Sequence, residues 1–342
     1  MQYNQSNIIG LDVGHSSVKA AYDTPSGENK LLFFPSLSIP AIQLSDDAEM
    51  IRAKTDTVSI NGIEYFVGET AEIQGTRVLS DVSENWLESA GYKALVKAAI
   101  QKITIANGSM PKLIIAGLPT SLYKSQRDQL RSIMGQIAGS SVEIKIIPQA
   151  LGAFQYNFLD EEGRQQPNRS FTKESWGIIE VGYFSTDFMV MRGHNGEARW
   201  VQNASGICSG IHLAANRLAQ LISDEIIING KHPTISTRDA ENALKTGEIK
   251  FYGKIDVTEQ VRKATMTILD EVDRAATRYM EAEAATLDGI FLAGGGAPLI
   301  YNSLKERWPH ITMANNPRYA VAEGYFRYGK GILRARQSLL NK

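Results

Sequence analysis

Apolar residues alternate with polar ones in some stretches of this chain and recur every three to four residues in others, with glycine turns between the two kinds. The first stretch, Ile8-Ile9-Gly10-Leu11-Asp12-Val13-Gly14-His15-Ser16-Ser17-Val18-Lys19-Ala20, runs apolar into an Asp-x-Gly turn, passes two hydroxyl residues and leaves as a second apolar run. That pattern predicts a β-hairpin with a polar tip. A second hairpin is predicted at Val58-Ser59-Ile60-Asn61-Gly62-Ile63-Glu64-Tyr65-Phe66-Val67, where Asn-Gly separates two short runs. The turn residues around it mark a small subdomain over about residues 30–85. Helices are then predicted over 86–107 and 121–138 and buried strands over 113–118 and 142–147. This alternation argues for a sheet with crossover helices.

The second half restarts the pattern of the first. Strands are predicted over 176–183, 185–191 and, after His194-Asn195-Gly196, 197–202. Helices follow over 210–223, 237–246 and 256–285, then a strand over 289–293 and helices over 297–307 and 320–335. Charges interleaved with apolar positions make 257–285 an amphipathic helix with a solvated face. The polar stretch Asp160-Glu161-Glu162-Gly163-Arg164-Gln165-Gln166-Pro167-Asn168-Arg169-Ser170 has no apolar period and is the best boundary candidate, a surface loop within one domain being the alternative. The expectation is an α/β chain of two similar halves, 1–165 and 166–324, with residues 325–342 returning to the first. A cleft between such halves is a common ligand site.

The chain has 342 residues, 43% apolar and 21% charged, enough for about two globular domains. Its net charge of -1 gives no global field toward DNA or an anionic membrane. The single cysteine, Cys208, fits a reducing compartment, and the five histidines lack the close pairing of a zinc site. The opening residues 1–7 lack a basic region followed by an apolar core, and no apolar run approaches about 18 residues, so a soluble cytoplasmic protein is expected.

Four features carry candidate chemistry. At the first hairpin, Gly14 lets the backbone approach an anion, the Ser16 and Ser17 hydroxyls can donate to phosphate oxygens, and Asp12 can hold Mg²⁺ through its waters. The second feature, Glu180-Val181-Gly182-Tyr183-Phe184-Ser185-Thr186-Asp187, repeats the carboxylate-x-Gly turn with hydroxyls behind it. In the third, Phe291-Leu292-Ala293-Gly294-Gly295-Gly296-Ala297-Pro298, a buried strand runs through three glycines into a helix and could lie against a flat ligand. The fourth, Ile146-Ile147-Pro148-Gln149-Ala150-Leu151-Gly152-Ala153, puts Gln149 near a helix start, where it can orient a water toward a terminal phosphate. Each has a plainer reading: an ordinary glycine turn for the hairpins, a structural strand–helix junction for the triplet. Lys19 also reads as an exposed strand residue, His15 as turn filler, Asp187 as a turn cap, Tyr183 and Phe184 as packing, and Cys208 as a small buried apolar residue.

In combination the features resemble the actin-like ATPase superfamily, and within it the bacterial actins of plasmid segregation of the ParM/StbA type. The resemblance spans nearly the whole chain: the Asp12 hairpin as first phosphate segment, Pro148-Gln149-Ala150 as first connecting segment and Glu180 to Asp187 as second phosphate segment. The 291–298 glycine triplet matches the adenosine segment, and Pro317-Arg318-Tyr319-Ala320-Val321-Ala322-Glu323-Gly324-Tyr325 the second connecting helix. It implies the two-domain actin-like fold with a nucleotide cleft, and ATP, with GTP as an alternative, bound with Mg²⁺. Asp12 and Glu180 would hold the metal through water. Gly14, His15, Ser16, Ser17, Lys19, Gly182, Tyr183 and Ser185 would lie at the phosphates, and Gln149 would orient the attacking water. Gly294, Gly295 and Gly296 would face adenine and ribose, with Gly206 and Gly210 near the ribose at a helix start. One departure is Glu180, where the family usually carries Asp.

The function this implies is a filament-forming ATPase that moves or positions plasmid DNA through a DNA-binding adaptor of ParR type. Self-association is head to tail, DNA is contacted only indirectly, and no membrane partner is expected. Two alternatives stand beside it: a small-molecule kinase of the same superfamily, which needs a carboxylate base, and a non-polymerising scaffold of pilus assembly or cell division. The C-terminal segment 334–342 is basic but too short to read as an amphipathic anchor.

Overall fold

The computed structural model describes residues 7–75 and 85–340. Residues 76–84 of the expected small subdomain, 1–6 of the opening segment and 341–342 of the returning helix lie outside the described residues. The chain divides into two compact units, residues 1–172 with 319–342, and residues 173–318.

In the first unit β1 (Ile8–Val13), β2 (Ser17–Asp23) and β3 (Asn29–Pro35) form an antiparallel meander. A small sheet follows, β4 (Ser38–Pro40), β5 (Thr57–Ile60) and β6 (Ile63–Val67), with α1 (Asp47–Ala53) and α2 (Gly68–Gln74). Asn61 and Gly62 both have positive φ at the β5–β6 turn, as the Asn-Gly pair predicts. The chain then returns to the main sheet through α3 (Ala90–Asn107), β7 (Leu113–Leu118), α4 (Thr120–Ala138) and β8 (Glu143–Pro148), and β7 and β8 add in parallel beside β1. α5 (Gln149–Phe158) ends this run.

The second unit repeats the winding. β9 (Ser175–Val181), β10 (Ser185–His194) and β11 (Glu197–Trp200) form the meander, and β12 (Gly206–Ser209) also pairs with β10. Helices α6 (His212–Glu225), α7 (Thr237–Thr246) and α8 (Thr258–Ala284) follow, a two-stranded ribbon of β13 (Glu248–Lys250) and β14 (Lys254–Asp256) lying between the last two. β15 (Gly289–Ala293), α9 (Ala297–Arg307) and β16 (Ile311–Met313) complete the sheet in parallel beside β9. Among the described residues the two main sheets read β3-β2-β1-β7-β8 and β11-β10-β9-β15-β16, one order used twice. Their central strands are buried on both faces, which is why they read as continuous apolar runs.

The last helix, α10 (Ala320–Leu340), belongs to the first unit. It lies close enough on β1 that a Cβ on Gly10 would fall 2.2 Å from the Ala322 carbonyl, and it crosses α5 where a Cβ on Gly324 would fall 1.8 Å from the Gly152 carbonyl. No helix among the described residues is long and apolar enough to cross a membrane.

Three expectations shift. The 160–170 stretch is a loop of the first unit, because α10 grips it: Arg327 donates to the Tyr156 and Leu159 carbonyls and Arg334 to the Gly163 carbonyl. The division therefore falls at 172/173 and 318/319 instead of 165/166 and 324/325. Residues 29–35 form an edge strand of the main sheet, so the small subdomain starts after Pro35. The helix predicted over 86–107 begins only at Ala90, because the Ser89 hydroxyl caps it by accepting from Tyr92 N and leaves 86–88 as a separate 3₁₀ turn.

Candidate functional site

The hairpin β1–β2 closes with Gly14 N donating to Ser17 O at 3.1 Å. Strand pairing sets Asp12 opposite Lys19, and the side chains meet, Lys19 Nζ lying 2.9 Å from Asp12 Oδ2. The carboxylate is 6% exposed, and its other oxygen accepts from Gln149 Nε2 at 3.2 Å, Gln149 being the first residue of α5. A carboxylate only accepts, so the amide nitrogen must face Asp12 and Oε1 is turned away, where it can accept a hydrogen bond from another donor. An ammonium has three donors, so Lys19 can keep Asp12 and reach a second acceptor. The first unit thus brings Asp12, Gly14, Lys19 and Gln149 together, with His15, Ser16 and Ser17 on the same turn.

The hairpin β9–β10 repeats this turn: Gly182 N donates to Ser185 O at 2.9 Å, and Glu180 stands opposite Asp187. Glu180 occupies the place of Asp12, Gly182 of Gly14, Ser185 of Ser17, and Asp187 of Lys19, so one charge is reversed between the copies. Glu180 is 7% exposed and Asp187 fully buried, with Ser185 Oγ donating to Asp187 Oδ2 at 3.1 Å. The tip is fixed by α6, whose leading N–H groups, Ile211 and His212, donate to the Gly182 and Tyr183 carbonyls. Burial, with the Glu241 charge added, pushes the Tyr183 phenol up to about 12, so this residue is anchored by packing.

The glycine triplet follows β15 beside this hairpin. Gly294 has φ +94°, its N–H donates to Pro317 O at 2.8 Å, and a Cβ there would fall 2.3 Å from Val181 O and 2.6 Å from Glu180 Oε1. The absent side chain makes room for the longer Glu180. Gly296 is likewise required, since a Cβ would strike Ile211, but at Gly295 a Cβ would meet nothing within 4 Å. Packing explains two glycines of the three. Gly210 presses on the second hairpin, its N–H donating to Phe184 O. Gly206, expected at a helix start, instead opens strand β12 under the ring of Tyr279, so packing alone accounts for it. Burial pushes the neighbouring Cys208 thiol up to about 12, which makes it a poor nucleophile.

Two neighbours of the first hairpin escape sequence reading. Ser36, just past β3, donates from its backbone to Ser16 O at 3.0 Å and from its hydroxyl to Gly14 O. Trp86 stacks on His15 with ring centroids 3.9 Å apart. Neither carries a local signal, because each meets the tip only through the fold. Asp187 did carry one: the spacing from Glu180 equals that from Asp12 to Lys19.

Among the described residues no group of three His, Cys, Asp or Glu side chains could cage a metal ion. Each hairpin carries one buried carboxylate, Asp12 in the first and Glu180 in the second, a hard oxygen donor of the kind that suits Mg²⁺ held through retained waters.

Residues 10–152 match the family model of the actin-like proteins N-terminal domain, and residues 178–306 that of the archaeal actin homologue MreB-like C-terminal domain. The chain is an actin-like protein. The actin-like fold is shared with a 15-stranded ParM filament from Clostridium botulinum at TM-score 0.74 and 22% identity, covering 95% of this chain and 99% of that one. A non-polymerisable quadruple mutant of pCBH ParM gives 0.73 and 23%, covering 94% and 98%. The archaeal actin homologue Ta0583 in complex with ADP gives 0.65 and 17%, covering 96% and 99%. No curated protein matches the sequence.

Proposed function

We propose that this actin-like protein is a nucleotide-dependent, filament-forming ATPase of the cytoplasm that positions or segregates plasmid DNA through a DNA-binding adaptor of ParR type. The observation that carries the reading is the doubled hairpin: the same carboxylate-Val-Gly-x-x-Ser turn, closed by the same hydrogen bond, at the same place in two identically wound sheets. Each copy would supply phosphate contacts of its own, to ATP or GTP. Asp12 and Glu180 would hold the nucleotide's Mg²⁺ through water, and the ion would offset phosphate charge when bound. Gly14 and Gly182 leave room for the phosphates, and the serine hydroxyls and Lys19 donate to them. Gln149, its amide oriented by Asp12, presents Oε1 to the attacking water. Gly295 offers an open backbone face to the base or ribose.

Self-association through a head-to-tail contact that does not close would build the filament, with hydrolysis loosening it. The net charge of -1 supports contact with DNA through an adaptor. Light scattering of the purified protein should rise on adding ATP and Mg²⁺ and fall as phosphate is released, without any added acceptor. A protein that stays monomeric with every nucleotide overturns the filament reading, and phosphate transfer that requires a small-molecule acceptor would make it a kinase.

A further inference from the structure

We propose that Trp86 is a positioning residue of the first hairpin, pinning its tip against Ser36 so that the tip's donors are already aimed when phosphate arrives. This inference rests on the nucleotide reading above. The tip, residues 14–16, is held from two directions. On one, Ser36 takes two of the three tip carbonyls: its hydroxyl donates to Gly14 O at 2.5 Å and its backbone N–H to Ser16 O at 3.0 Å. In a trans peptide the N–H points opposite to the preceding C=O, so tying Gly14 O to Ser36 directs the His15 N–H away from Ser36. On the other, the His15 imidazole stacks on the Trp86 indole at 3.9 Å and 22°.

The indole is itself held. Tyr92, 3% exposed on α3, meets it edge-on at 4.8 Å and 70°, and the adjacent Leu87 is buried. Its 3₁₀ turn abuts the Ser89 cap of α3. Packing therefore runs from the helix through Tyr92, Trp86 and His15 to the tip, in an order no local sequence pattern encodes. Trp86 acts through His15. A tip left loose must be ordered at the moment of binding, and that cost falls on ligands that use the tip.

The test compares ATP with adenosine, both with Mg²⁺, on wild type, Trp86→Ala and Trp86→Phe. Trp86→Ala should weaken ATP binding by about three- to tenfold, the worth of one aromatic stack, and leave adenosine binding unchanged, while Trp86→Phe restores most of the ATP affinity. Equal loss for ATP and adenosine, or no loss for either, overturns the proposal. The wild-type protein provides a measurement that does not depend on Trp86→Ala folding: the difference in tryptophan emission between wild type and Trp86→Phe should change with ATP and not with adenosine. An emission difference unmoved by ATP overturns it as well. Wild type that binds ATP while Trp86→Ala binds it equally well refutes the positioning role alone; wild type that binds no nucleotide refutes the nucleotide reading and this inference together.

Discussion

Side chains separate what packing requires from what a ligand requires. Gly294 and Gly295 are neighbours in one triplet, yet only Gly294 combines positive φ with a Cβ position already filled by Val181 O and Glu180 Oε1. Gly294→Ala should therefore destabilise the protein by at least about 1–3 kcal/mol, seen as an earlier urea midpoint. Gly295→Ala should leave that midpoint within about 0.5 kcal/mol and weaken nucleotide binding measured by calorimetry. Gln149→Ala removes the amide that Asp12 orients. It should slow phosphate release on the order of a hundredfold while nucleotide affinity stays near wild type. The hairpin motifs were readable because each is one local run of residues. Ser36 and Trp86 were not, since their contacts with the tip span 20 residues or more and leave no periodic trace.

Helix α10 shows how an element gains a role that its sequence does not announce. Its Arg327 binds the carbonyl end of α5, stacks over Tyr156 at 4.1 Å and pairs with Glu323 at 3.3 Å. Burial nevertheless wins at Glu323 and raises its carboxyl above the ordinary 4.5, against the lowering effect of Arg327. The folded protein then holds this proton more tightly than the unfolded chain, so stability falls as pH rises from 4.5 through the folded value. Glu323→Gln should flatten that part of the profile in urea titrations across the interval, and an unchanged slope would assign it to other groups. The helix over 320–335 was legible in the sequence. Its grip on the 160–170 loop was not, because a polar loop held by arginines reads the same as a free linker.

At the scale of the whole molecule, two units carry the same strand order and the same hairpin, with one charge reversed at Lys19 and Asp187. The near-zero net charge argues that DNA alone should not be retained by this protein in a mobility-shift assay at about 0.15 M salt; a retarded band would remove the need for an adaptor. The α/β class, the restart of the pattern at residue 176 and most helices and strands of the two main sheets were determined by the sequence itself. Hydrophobic period and glycine turns are local properties, and they survive without knowledge of what the element packs against. Tertiary structure alone decided that residues 29–35 join the main sheet, that 206–209 pair with β10, and that Glu180 has room beside Gly294. Those outcomes depend on which backbones approach each other across long sequence separations, and the alternation of residues along one strand carries no record of its partner.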